Sequence, residues 1–194
     1  HATLDHQIRV VPDPSWSVNQ VNPTELCIGG IVTLNAEVTG GVENQQAGRI
    51  QWYKTFNGVE SEVPGLGGMN TDVPQAAGVY TYAPKYIDYI GAGCNIADAT
   101  ATQVTVNDLP TATFASGHGS VICGHDYQSF ATLNIALTGT APFTFTIMNM
   151  TTGESQTIVT SLSVYPYNVN PNVTSIYRII SVSDANGCIG TMDN

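Results

Sequence analysis

Positive charge is what this chain of 194 residues has least of. Five Lys and Arg stand against fifteen Asp and Glu, for a net charge of −10. That balance excludes electrostatic affinity for nucleic acid or for anionic membrane surfaces. Long hydrophobic runs are also missing, and no stretch approaches the roughly 18 apolar residues that cross a bilayer. The residues that build surface helices, Lys, Glu, Arg and Leu, are scarce. Histidine is limited to His1, His6, His118 and His125, and no Gly-x-Ser-x-Gly elbow accompanies them, which argues against a nucleophilic triad. No secretory leader is visible and residue 1 is His, so the sequence reads as a processed product or a segment of something longer.

What is abundant suits pleated strands. The chain holds 23 Thr and 19 Val, with 19 Gly and 10 Pro as punctuation. An apolar share of 42% is enough for packed cores. The expectation is an all-β protein with little or no helix. Alternation at period two supports it. Val32, Leu34, Ala36 and Val38 form one apolar face, as do Ala131, Leu133, Ile135 and Leu137, and Phe143, Phe145 and Ile147 form a third. Turn signals separate such runs, among them Gly29-Gly30, Gly40-Gly41, Asn57-Gly58, Gly67-Gly68 and Asn186-Gly187.

The chain also resembles itself. Gln7-Ile8-Arg9-Val10 matches Gln103-Val104-Thr105-Val106, and Cys27 matches Cys123, both at an offset of 96 residues. Val32-Thr33-Leu34 falls on Ala131-Thr132-Leu133, Ile50 and Trp52 on Phe143 and Phe145, and Gly93-Cys94 on Gly187-Cys188. Correspondences in one order, with small shifts at loops, indicate two homologous domains. Residues 14–109 form the first repeat and 110–194 the second. Residues 1–13 read as the last strand of a preceding repeat plus a linker. The strand of Val104 and Val106 has no counterpart before the end of the second repeat, whose last strand is therefore expected to be missing.

Two tandem antiparallel sandwiches of immunoglobulin type fit this pattern. Trp52 lies on the third strand, where such sandwiches bury a Trp. Ala77-Gly78-Val79-Tyr80-Thr81-Tyr82 resembles the Gly-x-Tyr-x-Cys corner, with Tyr82 in place of the Cys, so the usual inter-sheet disulfide is not expected. Trp52, Tyr80, Tyr82, Phe143, Phe145 and Tyr177 are the expected core and corner aromatics. Four cysteines allow three pairings. Cys27 with Cys94 and Cys123 with Cys188 keeps each bond within a repeat and treats both alike; four free thiols are the alternative. Each bond would close a loop of about 65 residues, worth roughly 4 kcal/mol in the chain-entropy model, and would place the protein in an oxidising compartment.

Val104-Thr-Val-Asn-Asp-Leu-Pro110, Ile122-Cys123-Gly124, Leu137-Thr-Gly-Thr-Ala-Pro-Phe-Thr-Phe145 and Ser183-Asp-Ala-Asn-Gly-Cys188 form a series. It resembles the immunoglobulin-like tandem repeats of giant Bacteroidota surface adhesins, of the gliding-motility type exported by the type IX secretion system. The resemblance covers nearly all of the second repeat and is looser over the first. It implies a non-catalytic stalk on the bacterial cell surface, with neighbouring repeats of the same polypeptide as partners and no catalytic residues.

Other constellations are weaker. His118, Cys123, His125 and Asp126 could suggest a metal site, but the histidines have no counterpart in the other repeat, and a disulfide would remove the thiolate. Asp184-Ala-Asn186-Gly187 begins like a calcium loop and then fails, since Cys188 and Ile189 follow; a hairpin turn explains it. The acidity leaves weak calcium binding elsewhere open, and no cofactor is expected. Gly65-Leu66-Gly67-Gly68 lacks the Lys of a phosphate loop. Glu60 and Glu62 read as a solvated strand edge rather than a glycosidase pair. Tyr80, Tyr82, Tyr86 and Tyr89 could form a sugar-stacking platform, although core packing accounts for them. Asn149-Met-Thr151 and Asn172-Val-Thr174 match a glycosylation sequon that has no consequence in a bacterium. Two further readings stand beside the stalk. One is a carbohydrate- or protein-binding module of a secreted protein. The other is a filament subunit in which residues 6–11 of one copy complete the second repeat of the next.

Overall fold

The computed structural model describes residues 10, 12–40, 50–87, 96, 98–115 and 130–192. The described elements are all strands, and the chain divides into two compact units, His1–Val106 and Asn107–Asn194. Each is an immunoglobulin-like sandwich of two sheets.

In the first unit, β1 (Ser15–Asn22), β3 (Val32–Thr39) and β6 (Met69–Asp72) form a three-stranded sheet in the order β1-β3-β6. Five strands form the other sheet: β2 (Glu25–Cys27), β8 (Thr102–Asn107), β7 (Gly78–Tyr86), β4 (Ile50–Phe56) and β5 (Val59–Leu66), in that order. The alternation of β3 is realised: Val32, Leu34, Ala36 and Val38 are buried, and Thr33 and Glu37 face water. They pack on Trp52, Val63, Tyr82 and Val104 from the opposite sheet. Asn57-Gly58 closes β4 to β5 as a two-residue hairpin with positive φ at both positions (51° and 77°), the geometry that favours Asn-Gly.

One departure from alternation lies in β4, where Gln51 is buried between Ile50 and Trp52. A register shift between Gln51 and Tyr53 turns its amide inward, where it donates to the carbonyls of Val63 (2.7 Å) and Trp52 (3.0 Å). A buried amide is tolerated because its donors are satisfied.

In the second unit, β9 (Thr111–Phe114), β10 (Ala131–Thr138), β13 (Val164–Val169) and β15 (Thr191–Met192) form one sheet in the order β13-β10-β9-β15. The other sheet holds β11 (Phe143–Asn149), β12 (Ser155–Thr160) and β14 (Tyr177–Ser183), in the order β12-β11-β14. Phe143, Phe145 and Ile147 are buried together with Ile135, Leu137, Ile179 and Val182. The face expected of Ala131, Leu133, Ile135 and Leu137 is fully buried only in its second half; Ala131 and Leu133 are half-exposed. The short β15 pairs in parallel with β9, which the alternation did not foreshadow.

The threonines find work on the outer faces. Cross-strand partners Thr111 and Thr138 share a hydroxyl bond of 2.6 Å, Thr146 and Thr157 one of 2.9 Å, and Ser15 and Thr39 one of 3.2 Å. Such pairs stabilise register where no apolar packing is available. Pro64 on β5 and Pro166 on β13 lie on edge strands, where the missing N–H costs no ladder bond, and Pro84 lies in β7 beyond Gly78–Tyr82, the residues that pair with β8.

Candidate functional site

Register gives the two units a common frame. Across β4 and β7, Trp52 faces Pro84, Lys54 faces Tyr82, and Phe56 faces Tyr80. Across β11 and β14, Phe145 faces Val182, Ile147 faces Ile179, and Asn149 faces Tyr177. Val32 pairs with Asp72 in the first unit, and Ala131 with Val169 in the second. Three positions of the first unit, Lys54, Asp72 and Tyr82, thus correspond to Ile147, Val169 and Ile179 of the second.

In the first unit these three form a polar bridge between the sheets. The Lys54 ammonium donates to both carboxylate oxygens of Asp72, at 2.8 and 2.9 Å. The Tyr82 hydroxyl, on a fully buried ring, donates to Asp72 Oδ2 at 2.7 Å. Lys54 and Tyr82 come from the five-stranded sheet and Asp72 from the three-stranded one. The network therefore joins the sheets within the core, in a chain that has Tyr82 where immunoglobulin domains place an inter-sheet Cys. Burial, and then the Asp72 carboxylate, hold the Tyr82 phenol well above the ordinary tyrosine range.

Trp52 is fully buried and donates from Nε1 to the carbonyl of Gly68 at 3.0 Å. A Cβ on Gly68 would collide with the carbonyl oxygen of Ala36, so the chain has to be glycine there for β6 to approach β3. The Tyr80 hydroxyl donates back to the carbonyl of Ala76 at 3.2 Å, which is the bond of a tyrosine corner. Its ring stacks on Phe56 with centroids 4.3 Å apart. With Tyr80 and Tyr82 buried and Tyr86 half-buried against the core, these rings form no exposed platform; Tyr89 lies outside the described residues. Phe143 and Phe145 are buried, whereas Tyr177 is half-buried at the register of Tyr80. Its hydroxyl accepts a long bond of 3.4 Å from Asn149 instead of reaching the backbone upstream.

Cys27 and Cys188 are disulfide-bonded. Cys94 and Cys123 lie outside the described residues, as do all four histidines and Asp126. Asp184, which opens the calcium-like stretch, is committed to the backbone: it accepts from the amides of Asn186 (3.0 Å), Cys188 (3.2 Å) and Thr140 (3.0 Å). Among the described residues no group of His, Cys, Asp and Glu is placed to hold a metal ion. Glu60 and Glu62 lie exposed on β5, where Glu60 pairs with Lys85 (2.6 Å) and Glu62 accepts from Tyr53 (3.2 Å). Lys85 sits 4.1 Å over the Tyr53 ring. Asn149 is buried with its Oδ1 taken by the amides of Thr151 and Thr152, so its sequon is not presented to solvent.

A polar groove in the second unit went unnoticed in the sequence. It has a volume of about 430 Å³ and is lined by Asn149, Glu154, Tyr167, Asn172 and Tyr177, among others. Tyr167 and Tyr177 stand edge to face, with centroids 6.4 Å apart.

No protein-family model matches the chain, and no curated protein does. Solved structures match its fold. A C-terminal fragment of intimin, solved with the intimin-binding domain of the translocated intimin receptor, superposes with a TM-score of 0.50 at 10% identity, over 90% of this chain and 61% of the fragment. An I-band fragment of titin gives 0.47 at 14% identity, over 93% and 65%. A 1.5-MDa bacterial ice-binding adhesin gives 0.34 at 14% identity, over 97% and 63%. These neighbours are immunoglobulin- or fibronectin-like domains, two of them from bacterial adhesins. At such identities the likeness defines an immunoglobulin-like β-sandwich and nothing finer.

Proposed function

We propose that this chain is a non-catalytic spacer segment of a large, repetitive, secreted adhesin on a bacterial cell surface. The observation that carries the reading is the succession of two sandwiches built on one register, each with a disulfide-bonded cysteine. Cys27 pairs with Cys94, and Cys123 with Cys188, so that each bond closes its own repeat. Disulfides belong to oxidising, extracellular surroundings. The charge of −10 keeps many such repeats soluble and mutually repelling. The similar fold of the intimin fragment supports this reading. The sequence series from Val104 to Cys188 favours a Bacteroidota adhesin of the gliding type, exported by type IX secretion.

An antibody to this chain, used on a reducing gel of cell-surface and culture fractions, tests the reading. A band of hundreds of kilodaltons supports a repetitive parent; a band near the 20.5 kDa of this chain contradicts it.

One observation favours a second reading. In the first unit β8 covers β7, whereas β14, at the same register, is paired along its length with β11 and on its other side, among the described residues, is met only at its C-terminal end, by a bridge from Ile189 to Ser183 and a bond from Gly190 to Val182. A strand can add along the rest of that side. Residues 6–11 of a second copy, all but Val10 outside the described residues, carry the pattern of β8 in their sequence. In that case the chain associates head to tail as concentration rises, and deleting residues 1–11 abolishes the association; assembly that survives the deletion rejects it.

A further inference from the structure

The groove of the second unit occupies a place that the first unit fills. At that place the first unit stacks Phe56 on Tyr80, at a centroid distance of 4.3 Å and an interplanar angle of 10°. The second unit has Asn149 in place of Phe56, Tyr177 in place of Tyr80, and Tyr167 in place of Asn70. Removing one ring of the stack leaves the hollow, and Tyr167 and Tyr177 border it with one ring edge-on to the other.

The polar groups around it are held in place. Asn149 Oδ1 accepts from the amides of Thr151 and Thr152, which fixes the side chain and aims its NH₂ group at Tyr177. The Tyr167 hydroxyl donates to Gln156 at 3.1 Å. Among the described residues, the Glu154 carboxylate accepts a long bond of 3.3 Å from the Thr152 hydroxyl. The 3.4 Å contact between Asn149 and Tyr177 is weak and leaves both groups able to bond elsewhere. Fixed amides, phenols and a carboxylate around aromatic rings suit a ligand that is rich in hydroxyls on its rim and apolar on its faces. The lining contains no Lys, Arg or His and one carboxylate, in a chain of charge −10, so an anionic ligand is repelled. A volume of about 430 Å³ lies at the size of small-molecule sites.

We infer that this groove binds a neutral saccharide, with Tyr167 and Tyr177 as the aromatic walls and Asn149 and Glu154 as hydroxyl partners. This goes beyond the spacer role and is separable from it, since a chain with no ligand in the groove still separates its neighbours.

The test is saturation-transfer NMR of the full chain with methyl glycosides of glucose, galactose, mannose and N-acetylglucosamine, and with sialic acid and a Tyr-rich peptide as comparisons. At least one neutral glycoside binds with millimolar affinity, and Tyr167→Ala weakens it about tenfold or more. Asn149→Phe, which restores the filled arrangement of the first unit, abolishes binding. Because Asn149 also anchors a turn, Tyr167→Ala is the variant that decides if Asn149→Phe fails to fold. Tyr86→Ala, in the other unit, leaves binding unchanged. No signal from any neutral glycoside at tens of millimolar overturns the proposal. So does binding that survives Tyr167→Ala, or binding confined to sialic acid or to the peptide.

Discussion

The two units solve one problem in opposite ways. Both must tie a pair of sheets together through their cores. The first does so with Lys54, Asp72 and Tyr82, a bridge of three polar groups. The second places Ile147, Val169 and Ile179 at the same three positions, with exposures of 1%, 8% and 1%. The substitution is concerted: all three are polar or all three apolar. That is what buried electrostatics demands, because an ion pair with its hydrogen bonds complete can be exchanged for well-packed apolar groups at little cost, whereas breaking it halfway strands a charge. At the neighbouring pair the roles reverse. The first unit spends two rings on packing, Phe56 against Tyr80, while the second leaves a groove at the same place, beside the buried Asn149 and the half-buried Tyr177. Polar residues serve cohesion inside one unit and line a groove on the other.

The comparison can be broken most severely at the largest buried rings. Trp52→Ala is expected to cost the first unit about 3–5 kcal/mol and Phe145→Ala the second a similar amount, read by calorimetry as loss of one transition with the other retained. Next comes the bridge. Asp72→Ala leaves the Tyr82 hydroxyl and the Lys54 ammonium without their acceptor and costs about 3 kcal/mol. Lys54 is a quarter exposed and recovers part of its hydration, which keeps the figure at the low end. The triple exchange Lys54→Ile, Asp72→Val and Tyr82→Ile transplants the other unit's solution and stays within about 1 kcal/mol of the parent in urea unfolding. Summed single-variant losses reproduced by the triple variant would reject the equivalence of the two sets.

Alkaline pH sharpens the same point. The folded Tyr82 phenol titrates above its unfolded value of about 10. Its contribution is intact below pH 10 and declines as pH rises past it, by at most about 1.4 kcal/mol per pH unit, because the unfolded chain loses the proton first. Melting of Tyr82→Phe loses that part of the slope, and only in the first unit. Tyr80→Phe removes the corner bond and costs about 1 kcal/mol. Glu60→Gln, at an exposed pair with Lys85, shifts stability by less than about 0.5 kcal/mol.

The sequence made much of the fold legible and little of the bridge. β3 and β11 announce themselves because one face is buried and the other wet, so period two survives in the residue types. Asn57-Gly58 is legible because few residues accept positive φ twice in succession. Tyr80 followed an established spacing. The bridge carries no such mark: Lys54, Asp72 and Tyr82 lie on three strands, Lys54 and Asp72 each resemble surface residues, and Tyr82 reads as a core aromatic with nothing to name its partners. Only register brings them together. Gln51 breaks the alternation because a bulge turns it inward, and a bulge has no composition of its own. The groove is likewise a product of register, since Asn149, Tyr167 and Tyr177 meet from β11, β13 and β14.

The central proposal is that two sandwiches, each closed by its own disulfide, act as a mechanical spacer. Stretching the full chain in a single-molecule force experiment, with and without reductant, tests it most directly. With Cys27–Cys94 and Cys123–Cys188 in place, each unfolding event releases only the chain outside its bond. Reduction then lengthens each of two events by about 230 Å, the span of roughly 66 extended residues. Events of unchanged length on reduction, or a single event that frees both units together, would contradict it.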